Sequence, residues 1–179
     1  SMDAYSCAGA RGGYEYFAKK VSTEIADVIA NSPSPGVVKL YVLMAGGQLA
    51  GEEIKAAVLA ACSADEVRPL TDQVLVEDAE PVAYYIVFTY YTQTGAGKSG
   101  AEIRAAVEAA VQQYVDWQSA KLGRDINPSV LVGLLMQTGI KRVELTEPAF
   151  TVLVDDGKSP PQVAKLGTVS ITNGGYEDE

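Results

Sequence analysis

The residues best suited to chemistry lie in the loop Thr92–Ser99, between a predicted strand and a predicted helix. The loop fits most of the pattern G-x-x-x-x-G-K-[ST], in which backbone N–H groups and a lysine hold phosphates while a hydroxyl binds Mg²⁺. The residues that would bind a nucleotide are Gly95, Gly97, Lys98 and Ser99. The first glycine of the pattern is replaced by Thr92, and Asp155, which follows an apolar run, could act as the partner acid. Nucleotide binding is therefore the alternative function that these residues raise.

The same residues also have a purely structural explanation. Ser99 and Glu102 form an S-x-x-E capping box, in which the serine oxygen accepts a backbone N–H of the first helical turn. Asp155 is followed by Asp156 and Gly157, which together are typical of a hairpin turn. A nucleotide-binding sheet would also need several further strand–helix units after the loop. The sequence therefore favours an ordinary strand-to-helix turn.

The chain of 179 residues contains no histidine. This excludes nucleophiles activated by histidine and metal sites built on histidine. Cys7 and Cys62 are far apart and lack a CxxC spacing, so we interpret them as buried or incidental thiols. Neighbouring acidic residues point apart, and the spacing of a calcium-binding loop is absent. We predict no catalytic residues, no metal and no cofactor.

The composition narrows the possible partners. The net charge of −9 and the pI near 4.5 argue against nucleic acid, because phosphate binding needs clustered Lys and Arg. No apolar run approaches the ~20 residues of a membrane-spanning helix. The hydrophobic content of 47% with 21% charged residues is ordinary for a globular protein of one domain or two small ones.

The apolar pattern predicts an α/β (α+β) chain with helices packed on small mixed sheets. We expect strands at 25–30, 37–43, 73–76, 82–91, 140–146, 150–154 and 164–172, helices at 51–61, 99–120 and 127–138, and a turn at 31–36. The segment 77–81 is acidic and ends on a proline, so we predict two tandem subdomains, 1–80 and 81–179. Residues 51–61 and 100–110 are similar in sequence, which suggests two related α/β units.

The helix predicted at 127–138 has the clearest boundaries. Asn127 suits the N-cap and Pro128 the first helical position. Ile126 and Leu131 stand where a hydrophobic staple forms. Gly139 suits the left-handed residue that ends a helix. These residues position backbone and carry no reactive group.

Three blocks of this chain resemble the baseplate J family of contractile phage tails and related particles. The blocks are 8–18, then 67–72 with the strand 73–76, and 122–131 with 139–148. The resemblance implies a structural component of a phage or prophage tail baseplate that packs against itself and against other wedge subunits, without catalysis. It also implies that this chain is the C-terminal part of a longer protein, made in the bacterial host cytoplasm and found in the virion. A small-molecule sensing module with paired α/β units remains a third possibility, which a deep apolar pocket would indicate.

The aromatic residues are the candidates for subunit contacts. Both faces of the predicted strand 82–91 are largely apolar or aromatic, which favours a strand covered on both sides. Since stable interfaces are rich in aromatic anchors, we predict contacts through these tyrosines or through the tyrosines near the N-terminus. The predicted contact residues are Tyr14, Tyr16, Tyr84, Tyr85, Tyr90 and Tyr91.

Overall fold

The structure, a computed structural model, describes residues 9–64, 67–68, 72–95 and 97–179. It is an α+β fold of two compact units. The first unit comprises residues 1–81, 119–124 and 153–163; the second comprises 82–118, 125–152 and 164–179. The division into domains 1–80 and 81–179 stays a prediction. Cys7 and residues 69–71 of the second sequence block lie outside the described residues.

The first unit is built on a mixed sheet of three strands. Its elements are helix α1 (Gly9–Lys19), strands β1 (Ile25–Ser34) and β2 (Val37–Met44), a 3₁₀ turn (Ala45–Gly47), helix α2 (Glu52–Cys62) and strand β3 (Gln73–Glu77). The strand order is β1-β2-β3, with β1 antiparallel and β3 parallel to the central β2. The predicted hairpin is confirmed, but β1 continues to Ser34, so that Pro35 and Gly36 alone make the turn predicted at 31–36.

Both faces of β2 are buried. On one face Leu40 and Val42 pack in a core with Tyr14 of α1 and Val58 of α2. On the other face Tyr41 and Leu43 pack in a second cluster, whose further members are Ala79, Leu122 and Val163. A strand covered on both faces reads as a continuous apolar run, which explains why 37–43 was predictable as a strand.

The second unit has a sheet of the same size. Its elements are strand β4 (Glu80–Gln93), helices α3 (Gly100–Gln118) and α4 (Pro128–Met136), and strands β5 (Arg142–Glu147) and β6 (Gln162–Glu177). The strand order is β5-β4-β6, with β5 antiparallel to the central β4.

Strand β6 runs parallel to β4. Gly167 adjoins Tyr85, Gly174 adjoins Tyr91, and Thr94 N donates to Glu177 O at 3.0 Å, so the residue numbers rise together along both strands. The strand predicted at 150–154 is wrong, because Thr151 forms only an isolated antiparallel bridge with Ile126.

The two sheets contain the same kinds of strand and helix, but these elements occur in a different order along the sequence. Each has a central strand flanked by one antiparallel and one parallel neighbour, and each central strand is followed by a helix, α2 or α3. These are the two helices of similar sequence. In the first unit the helix and antiparallel strand α1–β1 precede the central strand, whereas in the second unit the corresponding pair α4–β5 follows it.

Local capping signals are confirmed around α4. Asn127 is the N-cap, with its Oδ1 accepting from Ser129 N at 3.0 Å, and Pro128 stands at the first helical position. The helix ends at Met136, and Gly139 has a φ of 99° two residues beyond the C-cap Gln137. Ile126 and Leu131, the predicted staple residues, are both buried.

The apolar pattern of α3 predicts a buried stripe of Ile103, Val107, Ala110, Tyr114 and Trp117. The first four of these are buried, but at the end of the helix Gln118 is buried instead of Trp117. None of the helices in the described ranges is long and apolar enough to cross a membrane.

Candidate subunit-contact surface

The loop that resembles a phosphate-binding loop connects a strand to a helix. Strand β4 continues to Gln93, so Thr92 is a buried strand residue. Ser99 Oγ accepts a hydrogen bond from Glu102 N at 3.1 Å, which confirms the predicted cap of α3. The Lys98 side chain lies against Gly139, with Nζ 3.7 Å from the position that a Cβ would take there. Within the loop, Ala96 lies outside the described residues.

The acidic residues also have structural roles. Asp155 lies against Gly123 in the first unit. Asp156 Oδ1 accepts hydrogen bonds from Ser159 N at 2.7 Å and Lys158 N at 2.9 Å, which lowers the pKa of the Asp156 carboxyl. Within the residues that the structure describes, no group of three His, Cys, Asp or Glu side chains could hold a metal ion.

Cys62 is a buried free thiol in the first unit. Its Sγ lies 3.6 Å from Tyr14 O, to which the thiol donates. Burial raises the pKa of Cys62 to about 11, so the thiolate form, which is the reactive one, is scarce at neutral pH. The interpretation of this residue as a buried thiol is confirmed.

Three of the six predicted contact tyrosines belong to the cores of their own units. Tyr14 is fully buried, and its hydroxyl donates to Asp72 Oδ2 at 2.8 Å. Tyr84 and Tyr90 lie on the buried face of β4, where the Tyr84 ring meets the Tyr114 ring of α3 edge to face at 6.3 Å. Burial raises the pKa of Tyr14 and of Tyr84. These side chains stabilise the fold and are not available at the surface.

The other three tyrosines reach the surface. Tyr16 on α1 packs edge to face against Phe17 at 5.3 Å, and the Lys20 ammonium lies 4.4 Å above the Tyr16 ring. Tyr85 and Tyr91 lie on the face of β4 opposite its buried side, where Tyr85 is 46% exposed. This exposed face corrects the expectation that β4 is covered on both sides within the chain.

Each surface tyrosine of β4 lies over a glycine of β6. A Cβ on Gly167 would approach a ring carbon of Tyr85 to 2.5 Å, and a Cβ on Gly174 would collide with the Tyr91 ring. Glycine is therefore required at both positions for the rings to lie flat across the two strands. The result is an aromatic surface on β4 that extends over its neighbour.

Arg142, Glu144 and Glu177 form a charged cluster at one end of this face, which we call the clamp. The Arg142 guanidinium of β5 lies 3.8 Å from the Tyr91 ring centroid. It donates to both carboxylate oxygens of Glu177 on β6 at 2.8 Å and to Glu144 at 2.7 Å. These hydrogen bonds raise the pKa of Arg142 and lower that of Glu177. The clamp thus ties the two outer strands together across the central one.

A groove of about 370 Å³ lies beside Tyr85. It is bounded by the start of β4, the end of β5 and the segment 148–151; its lining includes Val82, Tyr84, Tyr85, Ile126, Pro148 and Thr151. The segment that follows β5 exposes Phe150 (58%) and Val152 (70%). Large apolar side chains exposed together beside a groove are typical of protein-binding surfaces.

Sequence reasoning missed this surface because it assigned residues 150–154 to a strand. Leu153 is buried, but Phe150 and Val152 are exposed. Val152 and Phe150 have no covering element in the described part of the chain. The sequence signal that could have revealed this exposed segment is Pro148, because a proline interrupts the sheet before Phe150.

The geometry defines a class of protein. Ser99 caps α3, while Lys98 and Asp155 lie against glycines. A sheet face, a groove and several aromatic side chains are exposed, and such surfaces are typical of protein-binding sites. The structure is therefore that of an α+β protein with a candidate protein-binding surface.

The comparisons with known proteins then give the family. The Baseplate J-like central domain matches residues 6–78, and the Baseplate J-like protein C-terminal domain matches residues 87–172. These are the central and the C-terminal domain of baseplate J-like proteins, and in that order they cover most of the chain. The chain therefore belongs to the baseplate J-like family, and the resemblance found in the three sequence blocks is confirmed.

Two individual proteins are similar over most of this chain. Baseplate protein J of Escherichia phage P2 is 33% identical over 156 residues, which is 87% of this chain and 51% of that protein. A chain in the cryo-EM structure of the anti-feeding prophage (AFP) baseplate has the same fold, with a TM-score of 0.61 and 13% identity. That match covers 86% of this chain and 36% of the other. The chain thus spans about half the length of the phage P2 relative.

Proposed function

We propose that this chain is part of a structural protein of a phage or prophage tail baseplate, without catalysis, that assembles with copies of itself and with neighbouring wedge subunits in the virion. The single observation that carries the proposal is the pair of baseplate J-like domain matches, in order, across most of the chain. The exposed groove and the aromatic face of β4 supply surfaces on which such assembly could take place.

The surface tyrosines are the part of the predicted contact set that this proposal retains. Tyr85 is exposed and adjoins the groove, while Tyr91 and Tyr16 are partly exposed. Phe150 and Val152 extend the same apolar character beyond the predicted set. We expect no contribution to subunit contacts from the side chains of Tyr14, Tyr84 and Tyr90, because they are buried in their own units.

The experiment follows the protein into tail particles. In cells that carry the gene, contractile-tail particles are purified and the protein is located by mass spectrometry and antibody labelling in electron micrographs. We expect label at the baseplate end of the tail, and tails without baseplates when the gene is deleted. A protein that stays out of purified particles, with intact baseplates in the deletion strain, would contradict the proposal.

A matched pair of variants tests the surface. Phe150→Ser with Val152→Ser changes the exposed groove segment, whereas Leu59→Ser changes an exposed apolar residue on α2. We expect the double variant to fold but to enter particles poorly, and Leu59→Ser to enter them normally. Equal incorporation of the two proteins would show that the groove segment is not a contact surface.

Nucleotide binding remains the alternative function, but the geometry of the loop Thr92–Ser99 argues against it. The Ser99 hydroxyl caps α3, and the first glycine position is the buried strand residue Thr92. Calorimetric titration of Mg²⁺–ATP into the wild type and into Lys98→Ala tests it. Heat of binding that is seen with the wild type and lost in Lys98→Ala would favour nucleotide binding as the function.

A further inference from the structure

The asparagine side chains of this chain differ in how well the structure protects them from deamidation. In this reaction the backbone nitrogen of the next residue attacks the side-chain amide carbon. The reaction therefore needs an exposed amide, a next residue that leaves its nitrogen accessible, and a backbone that folds back toward the side chain. The asparagines are Asn31, Asn127 and Asn173, and the residues that follow them are Ser32, Pro128 and Gly174.

The first two asparagines are protected. Asn31 is 1% exposed, and its Nδ2 donates to Ser159 O at 2.7 Å, so its amide is held inside the first unit. Asn127 is followed by Pro128, whose ring nitrogen carries no hydrogen and so has no proton to lose when it attacks. Neither position suits the reaction.

Asn173 combines all the features that the reaction needs. It is exposed in β6, and Gly174 has no side chain to shield its nitrogen. Asn173 Oδ1 accepts a hydrogen bond from Gly175 N at 2.9 Å, which is the pattern of an Asx turn. In such a turn the side chain curls back over its own backbone. Gly175 has a φ of 97°, so the strand departs from an extended conformation beside the asparagine.

The hydrogen bond of this turn also bears on the chemistry. When a nitrogen attacks the amide carbon, negative charge develops on Asn173 Oδ1. That oxygen already has the Gly175 N–H as a donor at 2.9 Å. A donor placed in advance at the oxygen that becomes charged stabilises the intermediate. The turn therefore brings the amide over the backbone of Gly174 and supplies a donor for the developing charge.

We infer that Asn173 is a site of spontaneous modification, at which Asn173 and Gly174 close to a succinimide that opens to aspartate or isoaspartate. Gly174 N forms a bond to Asn173 Cγ and loses its proton, and the side-chain nitrogen leaves as ammonia. Water then cleaves the imide. Cleavage at Cγ gives an ordinary aspartate, whereas cleavage at the main-chain carbonyl gives isoaspartate, whose main chain runs through Cβ and Cγ. The inference does not depend on the proposed function.

The pair Asp156–Gly157 provides a comparison within the chain. An aspartate before glycine forms the same imide by loss of water, and it does so from the protonated carboxyl, since an ionised carboxylate is a poor electrophile. Asp156 accepts hydrogen bonds from Lys158 N, Ser159 N and Ser159 Oγ, and these bonds lower its pKa. The Asp156 carboxyl is therefore ionised at neutral pH, and we expect this pair to stay unmodified.

The two products of Asn173 differ in their effect on the end of β6. Isoaspartate lengthens the main chain just before Gly174, which lies against the Tyr91 ring, and ahead of Glu177, which Arg142 binds. The added length displaces both residues from their partners on β4 and β5. The aspartate product leaves the main chain unchanged. Isoaspartate should therefore loosen the last residues of β6.

The first test follows the modification in the folded protein. The purified protein is kept for weeks at mildly alkaline pH, digested with trypsin and compared by mass spectrometry with an unaged sample. Trypsin cleaves after Lys165, so the peptide 166–179 contains Asn173 as its single asparagine. We expect this peptide alone to gain the mass of an amide converted to an acid and to separate into aspartate and isoaspartate forms. The conversion should be faster at higher pH, because the attacking nitrogen must lose its proton.

Two controls make this test decisive. Asn173→Gln lengthens the side chain by a methylene group, which disfavours ring closure, so we expect its peptide to stay unmodified. A second wild-type sample is aged in urea. An unmodified peptide 166–179 in the folded protein, when the urea sample converts, would show that β6 protects Asn173 and would overturn the inference. Equal conversion at Asn31 or Asp156 in the folded protein would overturn the selectivity that the structure assigns to Asn173.

The second test measures the effect on the fold. Urea unfolding of the aged wild type is compared with that of Asn173→Asp and of aged Asn173→Gln, with Trp117 fluorescence as the signal. We expect the aged wild type to unfold at a lower urea concentration than either variant, because it alone contains isoaspartate. The same midpoint for the aged wild type and Asn173→Asp would show that the longer main chain does not loosen β6, which would overturn this part of the inference.

Discussion

The buried amide of Gln118 should make a large contribution to the stability of the second unit. Gln118 is fully buried at the end of α3. Its Oε1 accepts from the Tyr114 hydroxyl at 2.9 Å and from Asn127 N at 3.1 Å, and its Nε2 donates to Asp125 O at 2.9 Å. The amide therefore ties α3 to the start of α4. Gln118→Met keeps the volume and removes all of these hydrogen bonds.

The expected loss follows from the bonds removed. Each hydrogen bond contributes about 1 kcal/mol net, so the loss of three costs about 3 kcal/mol. The variant is destabilised because it leaves a buried polar group without a partner: the Tyr114 hydroxyl loses Gln118 Oε1, to which it donates in the wild type. With a urea dependence near 2 kcal/mol per molar, the unfolding midpoint should fall by about 1.5 M.

The assay is urea unfolding followed by tryptophan fluorescence. Trp117 is the single tryptophan of the chain and neighbours Gln118 on α3, so the signal reports the second unit. Gln112→Met is the matched control: its amide also bonds along α3, to Asp116 at 2.8 Å, but is exposed. We expect the control to shift the midpoint by roughly a tenth as much. Equal shifts in the two variants would refute the reasoning.

Three further predictions concern single interactions. Asn127→Ala should cost about 1 kcal/mol, because Ser129 N loses its acceptor, and Asn127→Asp should retain most of it; an unchanged urea midpoint for Asn127→Ala would exclude the cap. The pKa of Glu177 is lower in the folded protein than in the unfolded chain, so its contribution to stability is present above pH ~4.3 and is lost as the pH falls through the folded pKa. Glu177→Gln should therefore lose less stability than the wild type between pH ~5 and ~3, measured by urea unfolding at each pH. Gly167→Ala should lower the melting temperature because its Cβ meets the Tyr85 ring, whereas Gly133→Ala, in an exposed turn of α4 with open space, should raise it.

Local signals accounted for much of the fold. Asn127, Pro128 and Ser99 act through backbone groups within a few residues, so their roles could be predicted from spacing alone. The hairpin β1–β2 likewise follows from two apolar runs and a Pro-Gly turn. These elements need no knowledge of the rest of the chain.

Features that depend on distant partners were the ones missed. The sequence offered no reason to bury Gln118, because its partners lie beyond the end of its own helix. The alternation of β4 predicted two faces, but only the packing of α3 decides that Tyr84 is inside and Tyr85 outside. Strand β6 was predicted to end at residue 172, whereas it continues to Glu177 and its Gly174 accommodates the Tyr91 ring.

The clamp and the free edge of β6 have a common physical consequence. An outer strand paired on one side alone would fray, because half of its backbone hydrogen bonds have no partner in the sheet. Here Arg142 holds Glu177, Tyr91 covers Gly174 and Tyr85 covers Gly167, so β6 is fixed along its length from the β4 side. The same contacts that stabilise the unit thus keep this long outer strand in the sheet without a neighbour among the described strands on its other side.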